Sequence, residues 1–340
     1  MGLSIKIRWF GFLCVLLIFI GAPRFNRQDM LGISRLTGGE LGDSKHYVNQ
    51  VRFLRNEGGQ ELLQPPFCYR LVPAVLAAPL PLSPMTAVNV VNCASLLGAL
   101  FFLLVVLQQI EISPGICFLG GLAFVVSFPV FYYSTIGYVD SLLVAALCTA
   151  IRLITKGGQT MWLLLLSLVS AGINEKYAVL FPFWLMYLIW VDKKSLLKSV
   201  GVIGLAFCLF ALAMTGIRYL TPTPQFAWPP SADAIYGNIV RPKMWLSLMF
   251  TWGPLGATIS YFLIRHVRAV FEDRQVLVWL VGIAAGLSVW VYGFFSCYND
   301  GRYVWICYPF MVPLFCIYLE RFSPAFGTSR QALNCLVARS

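Results

Sequence analysis

MTAVNVVNCASLLGALFFLLVVL, Met85 to Leu107, runs for 23 residues without a charged side chain. A helix needs about 20 mostly apolar residues to cross a hydrocarbon layer about 30 Å thick. No water is available there to satisfy backbone N–H and C=O groups, so only helices and closed barrels can span it. The stretch lacks the apolar–polar alternation of a barrel strand, which leaves the helix. Working outward from it, similar apolar runs separated by short polar punctuation occupy most of the chain. They are Trp9 to Ala22, Pro114 to Tyr133, Val139 to Ile151, Met161 to Ile173, Tyr177 to Val191, Val200 to Ile217, Met244 to Ile264, Val276 to Phe295 and Tyr303 to Leu319. The expectation is an all-α, polytopic transmembrane helical bundle of about ten spans.

Composition agrees. Of 340 residues, 59% are hydrophobic and 11% are charged, against about 25% charged in an ordinary soluble domain. The mean hydropathy is +0.76. Phe67 to Leu82 is apolar but carries Pro73, Pro79 and Pro81, with Pro65 and Pro66 just before it. It reads as interfacial or re-entrant, and would be an eleventh span if it crossed. Met161 to Ile173 is short, as suits a helix packed inside a bundle beside a thinned or water-filled region. With no internal repeat, low-complexity tract or linker, residues 1–340 form a single membrane domain. A first outer loop covers 23–66 and bears short amphipathic helices, a second covers 218–243, and a cytoplasmic tail covers 320–340.

Lys6 and Arg8 ahead of the first apolar run also fit a secretory signal, but Pro23 directly after Gly21-Ala22 disfavours cleavage. The run is therefore expected to be an uncleaved anchor with a cytoplasmic amino terminus. Short loops on that side would hold Arg152, Lys156, Lys193, Lys194, Lys198, Arg265, Arg268 and Arg274, with Arg321, Arg330 and Arg339 in the tail, while the opposing short loops hold Lys176 and Arg302. The long first loop runs against this trend with Arg24, Arg27, Arg35, Lys45, Arg52, Arg55 and Arg70.

This orientation sorts the polar residues. Asp140, Glu175, Lys176, Asp300 and Arg302 sit hard against apolar spans on the outer side. Ionisable groups at membrane depth are costly, so the set suggests a site opening there. Taken singly, each reads as a solvated cap or a local ion pair such as Glu175 with Lys176. The set converging on one face favours a site.

The first outer loop contains GDSKHYVNQVRFLRNEG (Gly42 to Gly58), with Asp43 four residues ahead of Tyr47 and helical apolar spacing after it. PPFCYRLVPAVLAAPL (Pro65 to Leu80), YVDSLLVAALCTAIRL (Tyr138 to Leu153), SAGINEKYAVLFPF (Ser170 to Phe183) and NDGRYVWICYPFMVPL (Asn299 to Leu314) follow. Together these segments resemble the GT-C superfamily of polytopic membrane glycosyltransferases, in its bacterial form. The resemblance implies a polyprenyl-phosphate-linked sugar donor, an active site on the extracytoplasmic face of the plasma membrane, and an acceptor that is a glycan, lipid or protein. It also implies that Asp43 is the base acting on the acceptor hydroxyl. The family often carries paired acidic residues here, whereas the nearest acidic companion of Asp43 is Glu40, in GELGD. A divalent metal therefore stays open, with no clear ligand motif.

A lipid-phosphate leaving group calls for cationic donors, and Arg70, Lys176, Arg241 and Arg302 are the candidates, Arg being better suited to bidentate contact. Tyr47, Asp140, Glu175 and Asp300 complete the expected substrate-binding set. Against Asp43 as a base stands an ordinary helix N-cap. His46 is a candidate second base, although a lone loop histidine is more often simply solvated. Tyr47, Trp228 and Tyr298 suit sugar stacking or, more commonly, the headgroup level. There is no Gly-rich phosphate loop, no G-x-S-x-G elbow and no Cys or His cluster at metal-ligand spacing. Cys68 and Cys297 both lie near the outer boundary, and their pairing stays open. The net charge of +11 reads as loops facing anionic lipid, not nucleic acid. Two other classes share these features: a multi-pass transporter or flippase, and a polysaccharide polymerase or ligase. Asn89 and Asn92, the conspicuous mid-membrane polar pair, read as helix-to-helix hydrogen bonders.

Overall fold

The computed structural model describes residues 2–26, 42–221, 229–297 and 299–322. Among these there are sixteen α-helices and no strand, so the chain is all-α. In chain order they are α1 (Gly2–Gly21), α2 (Ser44–Leu54), α3 (Leu71–Ala77), α4 (Pro84–Gln109), α5 (Pro114–Val125), α6 (Phe128–Tyr133), α7 (Asp140–Lys156), α8 (Thr160–Ser170), α9 (Leu180–Trp190), α10 (Leu196–Leu220), α11 (Ala232–Val240), α12 (Pro242–Arg265), α13 (Val267–Glu272), α14 (Arg274–Ser296), α15 (Arg302–Trp305) and α16 (Tyr308–Arg321).

Serine–proline punctuation decides where several helices start. Proline lacks an N–H, which is no loss in a first turn, and its ring presets the helical φ. Ser83 caps α4 by accepting from the Thr86 N–H, with Pro84 next in line. Ser113 precedes Pro114 at the head of α5. The same residue breaks longer runs. The apolar stretch Pro114 to Tyr133 is divided where Ser127 and Pro129 start α6. Pro309 sits in the first turn of α16, dividing Tyr303 to Leu319. Inside α12, Pro254 displaces Gly253 to φ 47°, ψ −159° and kinks the helix.

Four of the described helices are long and apolar enough to cross a membrane: α4, α10, α12 and α14. The proline-rich segment after residue 66 forms a 3₁₀ turn (Phe67–Tyr69) and the seven-residue α3. At about 1.5 Å per residue such a helix covers about 10 Å, a third of a bilayer core.

α4 lies along α7, α9 along α14 and α8 along α10, while α16 packs against α5 and α14. Their shared core is aromatic. Phe183 meets Trp279 and Phe310, each at 5.1 Å between ring centroids, and Trp184 and Trp305 are buried nearby. The outside is apolar as well. Leu197 is 83% exposed on α10 and Ile264 is 81% exposed on α12, a surface suited to acyl chains and not to water.

Gly282 of α14 packs so closely on the buried Phe310 that a Cβ there would collide with the ring. Gly282→Ala is expected to lower stability by about 1–3 kcal/mol through overpacking. Gly204→Ala on α10, where a Cβ meets nothing, is expected to be neutral or stabilising. Thermal unfolding of the purified variants in one detergent measures both, and equal midpoints would contradict the packing assigned to Gly282.

A candidate site at the polar end of the bundle

Three turns at one end of the bundle carry the ionisable residues, and buried asparagine amides hold each of them. Asn89 of α4 accepts from the Gly137 N–H at 2.7 Å and donates to the Asn26 side chain at 2.7 Å. Asn92 donates to the Tyr138 carbonyl. These bonds fix the turn that opens α7 at Asp140. Gly137 adopts φ +86°, and a Cβ there would lie 2.7 Å from that of Ser44, so its absence lets the start of α2, with Asp43, close onto the turn. Asn174 accepts from the Lys176 N–H at 3.1 Å and shapes the 3₁₀ turn Glu175–Val179. Asn238 of α11 donates to the Cys297 carbonyl at 2.7 Å and accepts from the Asn299 N–H at 2.9 Å. The Asp300 carboxylate then accepts from the Arg302 N–H at 2.9 Å and starts α15.

The charged side chains meet across these turns. Arg302 Nη2 lies 2.6 Å from Asp43 Oδ2, and Arg302 Nε lies 3.5 Å from Asp140 Oδ2. The other Asp140 oxygen is 3.5 Å from Lys176 Nζ. Arg70 holds Glu175 with both arms of its fork, at 3.2 and 2.5 Å, and donates to the Tyr47 hydroxyl at 2.5 Å. Aromatic faces complete the shell: Lys176 Nζ sits 3.9 Å from the Tyr303 ring centroid, and the Arg302 guanidinium 4.3 Å from that of Tyr138.

A cavity of about 450 Å³ opens beside this network. Asp43, Arg70, Glu175, Lys176 and Arg302 form its polar wall, with Tyr303 and Phe67 alongside. Ser288, Val289, Tyr292 and Gly293 line it as well, and they belong to α14, one of the membrane-length helices. The lining therefore joins a cluster of charged side chains to an uncharged stretch of a membrane-length helix.

Electrostatics set the charge states. Burial pushes the Asp43 carboxyl upward, but the Arg302 charge and hydrogen bond, helped by Arg70 and Lys176, outweigh it and hold the group below its usual range. Burial also acts against ionised Glu175, yet the Arg70 fork brings its pKa down to about 2. Lys176 is lowered, first by burial and then by Arg70 and Arg302, against the pull of Asp140. Both Asp43 and Glu175 are thus ionised at neutral pH.

Sequence-expected residues divide clearly. Asp43, Arg70, Glu175, Lys176 and Arg302 line the cavity, and Asp140 and Tyr47 stand directly behind them. Asp300 faces a smaller neighbouring cavity. Arg241 starts α12 and is not among the residues lining the larger cavity. His46 is not in the lining either, and its ring stacks on Phe67 at 4.3 Å. Glu40, Trp228 and Tyr298 lie outside the described residues. Cys297 lines the cavity, close to the Tyr303 hydroxyl, and is not bridged to Cys68. No group of His, Cys, Asp and Glu among the described residues could hold a metal ion.

Tyr138 and Tyr303 were missed by reading the sequence. Each stands beside a charged residue that was singled out, and adjacency was the available signal. The α14 wall was missed as well, although Ser288 and Tyr292 share a helix face at i, i+4 spacing.

No protein-family model matches the chain, and no curated protein or solved structure matches it.

Glu175 is protonated only near pH 2 when folded, against 4.5 ordinarily. A depressed carboxyl pKa contributes stability that is fully present above the ordinary value and is lost as pH falls toward the folded one. Glu175 is 40% exposed, so solvent screening reduces the effect. Glu175→Gln is expected to flatten the loss of thermal stability between pH 4.5 and pH 2; an unchanged slope would remove Glu175 from the acid response.

Proposed function

We propose that this chain is a membrane glycosyltransferase of GT-C type that moves a sugar from a polyprenyl-phosphate donor to an acceptor hydroxyl on the non-cytoplasmic face of a bacterial plasma membrane. One observation carries the reading: ionised Asp43 and three cations share a cavity that is also lined by an apolar helix of membrane length. Such a space suits a lipid-borne phosphate, with its tail along α14 and its phosphate facing Arg70, Lys176 and Arg302. The about ten spans belong to the same reading. Tandem helices support them, since α5 with α6 covers 114–133 and α15 with α16 covers 302–321, each near membrane length.

The chemistry follows from the charges. The acceptor oxygen bonds to the anomeric carbon while the bond from that carbon to the phosphate oxygen breaks. The hydroxyl proton passes to the Asp43 carboxylate, which also stabilises positive charge developing on the sugar. The lipid phosphate leaves with the bonding electron pair, and the cations meet its added charge. Three carboxylates (Asp43, Asp140, Glu175) balance three cations (Arg70, Lys176, Arg302) before substrate arrives. Arg302 therefore turns from Asp43 toward phosphate as the donor binds, which raises the basicity of Asp43 at the moment it is needed.

Asp43→Asn preserves size and hydrogen bonding. It is expected to lower transfer of labelled sugar from the lipid donor by about 10² to 10⁴ with the protein still inserted and folded. Near-normal transfer by this variant would leave Asp43 a loop residue. Arg302→Lys, which keeps charge but not the guanidinium fork, is expected to be milder than Arg302→Ala.

The interruption of α12 at Gly253 favours a second reading, a transporter or flippase of a lipid-linked substrate, since broken helices are common in transporters. Movement of labelled lipid across proteoliposomes without any sugar transfer would select it. Orientation is tested by cysteine labelling in sealed membranes: Lys45→Cys and Lys243→Cys are expected to react from the non-cytoplasmic side, and Lys193→Cys and Arg268→Cys from the cytoplasmic side. All four reacting from one side would remove the orientation and the mechanism with it.

A further inference from the structure

A second, smaller cavity of about 150 Å³ lies on the other side of the segment that carries Asp43. Gly42 and Ser44 line it while the Asp43 side chain lines the larger one, so the two spaces share a wall. Tyr132, Tyr133, Ile136, Tyr138 and Asp300 form the rest of its lining, with Arg24 and Lys243. Arg24 is only 3% exposed.

The contacts of Arg24 do not balance its charge. Its guanidinium lies 4.2 Å from the Tyr132 ring centroid, and Nη2 reaches the Tyr132 carbonyl at 3.5 Å, the limit of a hydrogen bond. Nε is buried and has no hydrogen-bond partner among the described residues. No carboxylate among the described residues lies within ion-pairing distance; Asp300 lines the same cavity without pairing to it. Each of the other deeply buried cations, Arg70, Lys176 and Arg302, has a carboxylate within 3.5 Å. A buried unpaired charge costs far more than one cation–π contact returns. An anchoring role for Arg24, tying the end of α1 to α6, would be met equally well by a neutral side chain.

We propose that this cavity is a binding site for a phosphate group, with buried Arg24 as its base and Lys243 at its mouth. Size and charge both fit. At about 30 Å³ for each water-sized unit, the volume takes a group of about five non-hydrogen atoms, the size of phosphate. Arg24 and Lys243 against Asp300 leave one net positive charge, which matches a singly charged phosphate or a phosphodiester. The Nε donor lacking a partner would bond one of its oxygens, and guanidinium is the side chain best suited to phosphate. The site stands whether or not sugar is transferred at the larger cavity.

The test is calorimetric titration of inorganic phosphate into the purified full-length protein in detergent, with wild type, Arg24→Gln, Lys243→Gln and, as a control, Lys198→Gln. Lys243 is exposed at the cavity mouth, so its variant carries the test should Arg24→Gln fail to fold. Phosphate is expected to bind the wild type and the control alike. Arg24→Gln is expected to weaken the affinity by about tenfold or more, as for a lost charge-assisted hydrogen bond, and Lys243→Gln by a smaller factor. A heat component unchanged in both variants belongs to the larger cavity; the component that both weaken belongs to the Arg24 site. No binding by the wild type, or binding by both variants as tight as wild type, would overturn the proposal. Repeating the titration in nanodiscs separates the sources. If the phosphate is a lipid headgroup, phosphatidylglycerol discs weaken inorganic phosphate relative to phosphatidylcholine discs; if it is a soluble phosphate, the two agree.

Discussion

One carboxylate holds the polar end of the bundle together. Asp140 is 3% exposed and divides its two oxygens between Lys176 and Arg302, each at 3.5 Å. A buried ion pair gains little net stability against an apolar replacement, because desolvation consumes most of the attraction. Removing one partner is different, at about 3–5 kcal/mol, since it strands the other charge. Asp140 has two partners at stake, on two different turns. Its effect is therefore one of register: the turns at Lys176 and Arg302 are stable only where both can reach α7.

The asparagines set the positions that this carboxylate then locks. Asn89, Asn92, Asn174, Asn238 and Asn299 are all fully buried, each with its side chain on a backbone group. A turn packed against apolar helices has no water for its N–H and C=O groups, and an amide side chain supplies both a donor and an acceptor. The three loops that present Asp140, Lys176 and Arg302 are thereby made rigid, which is what a site needs if its charges are to act on a substrate without first reorganising.

An uneven lining follows from that rigidity. The charged turns cannot move into the apolar part of the bundle, and the α14 residues that reach the larger cavity, Ser288, Val289, Tyr292 and Gly293, carry no charge. On the far side of the Asp43 segment, Arg24 occupies a space lined by three tyrosines, where no carboxylate among the described residues is within pairing distance of it. Placing one cation in balance and another out of it, on either side of a single loop, gives the two cavities different appetites for anions.

Composition and apolar runs alone determined that the chain is helical and built around membrane-length segments, because bilayer thickness converts directly into residue number. They also marked Asp140, Glu175, Lys176, Asp300 and Arg302, since an ionisable residue abutting an apolar run is conspicuous wherever it falls, whereas Asp43 stood out only through the family resemblance of its loop. Helix lengths were less legible. Pro129 and Pro309 divide stretches that read as continuous, since hydropathy does not register a missing N–H. The pairing of charges was not legible at all: Asp43 meets Arg302 from 259 positions away, Arg241 starts α12 outside the lining of the larger cavity, and Arg24, one of many loop arginines in the sequence, becomes a buried cation with no carboxylate within pairing distance among the described residues. Sequence records which residues cannot be left in lipid; only the packing of helices decides which of them meet, because burial and opposite charge act between neighbours in space.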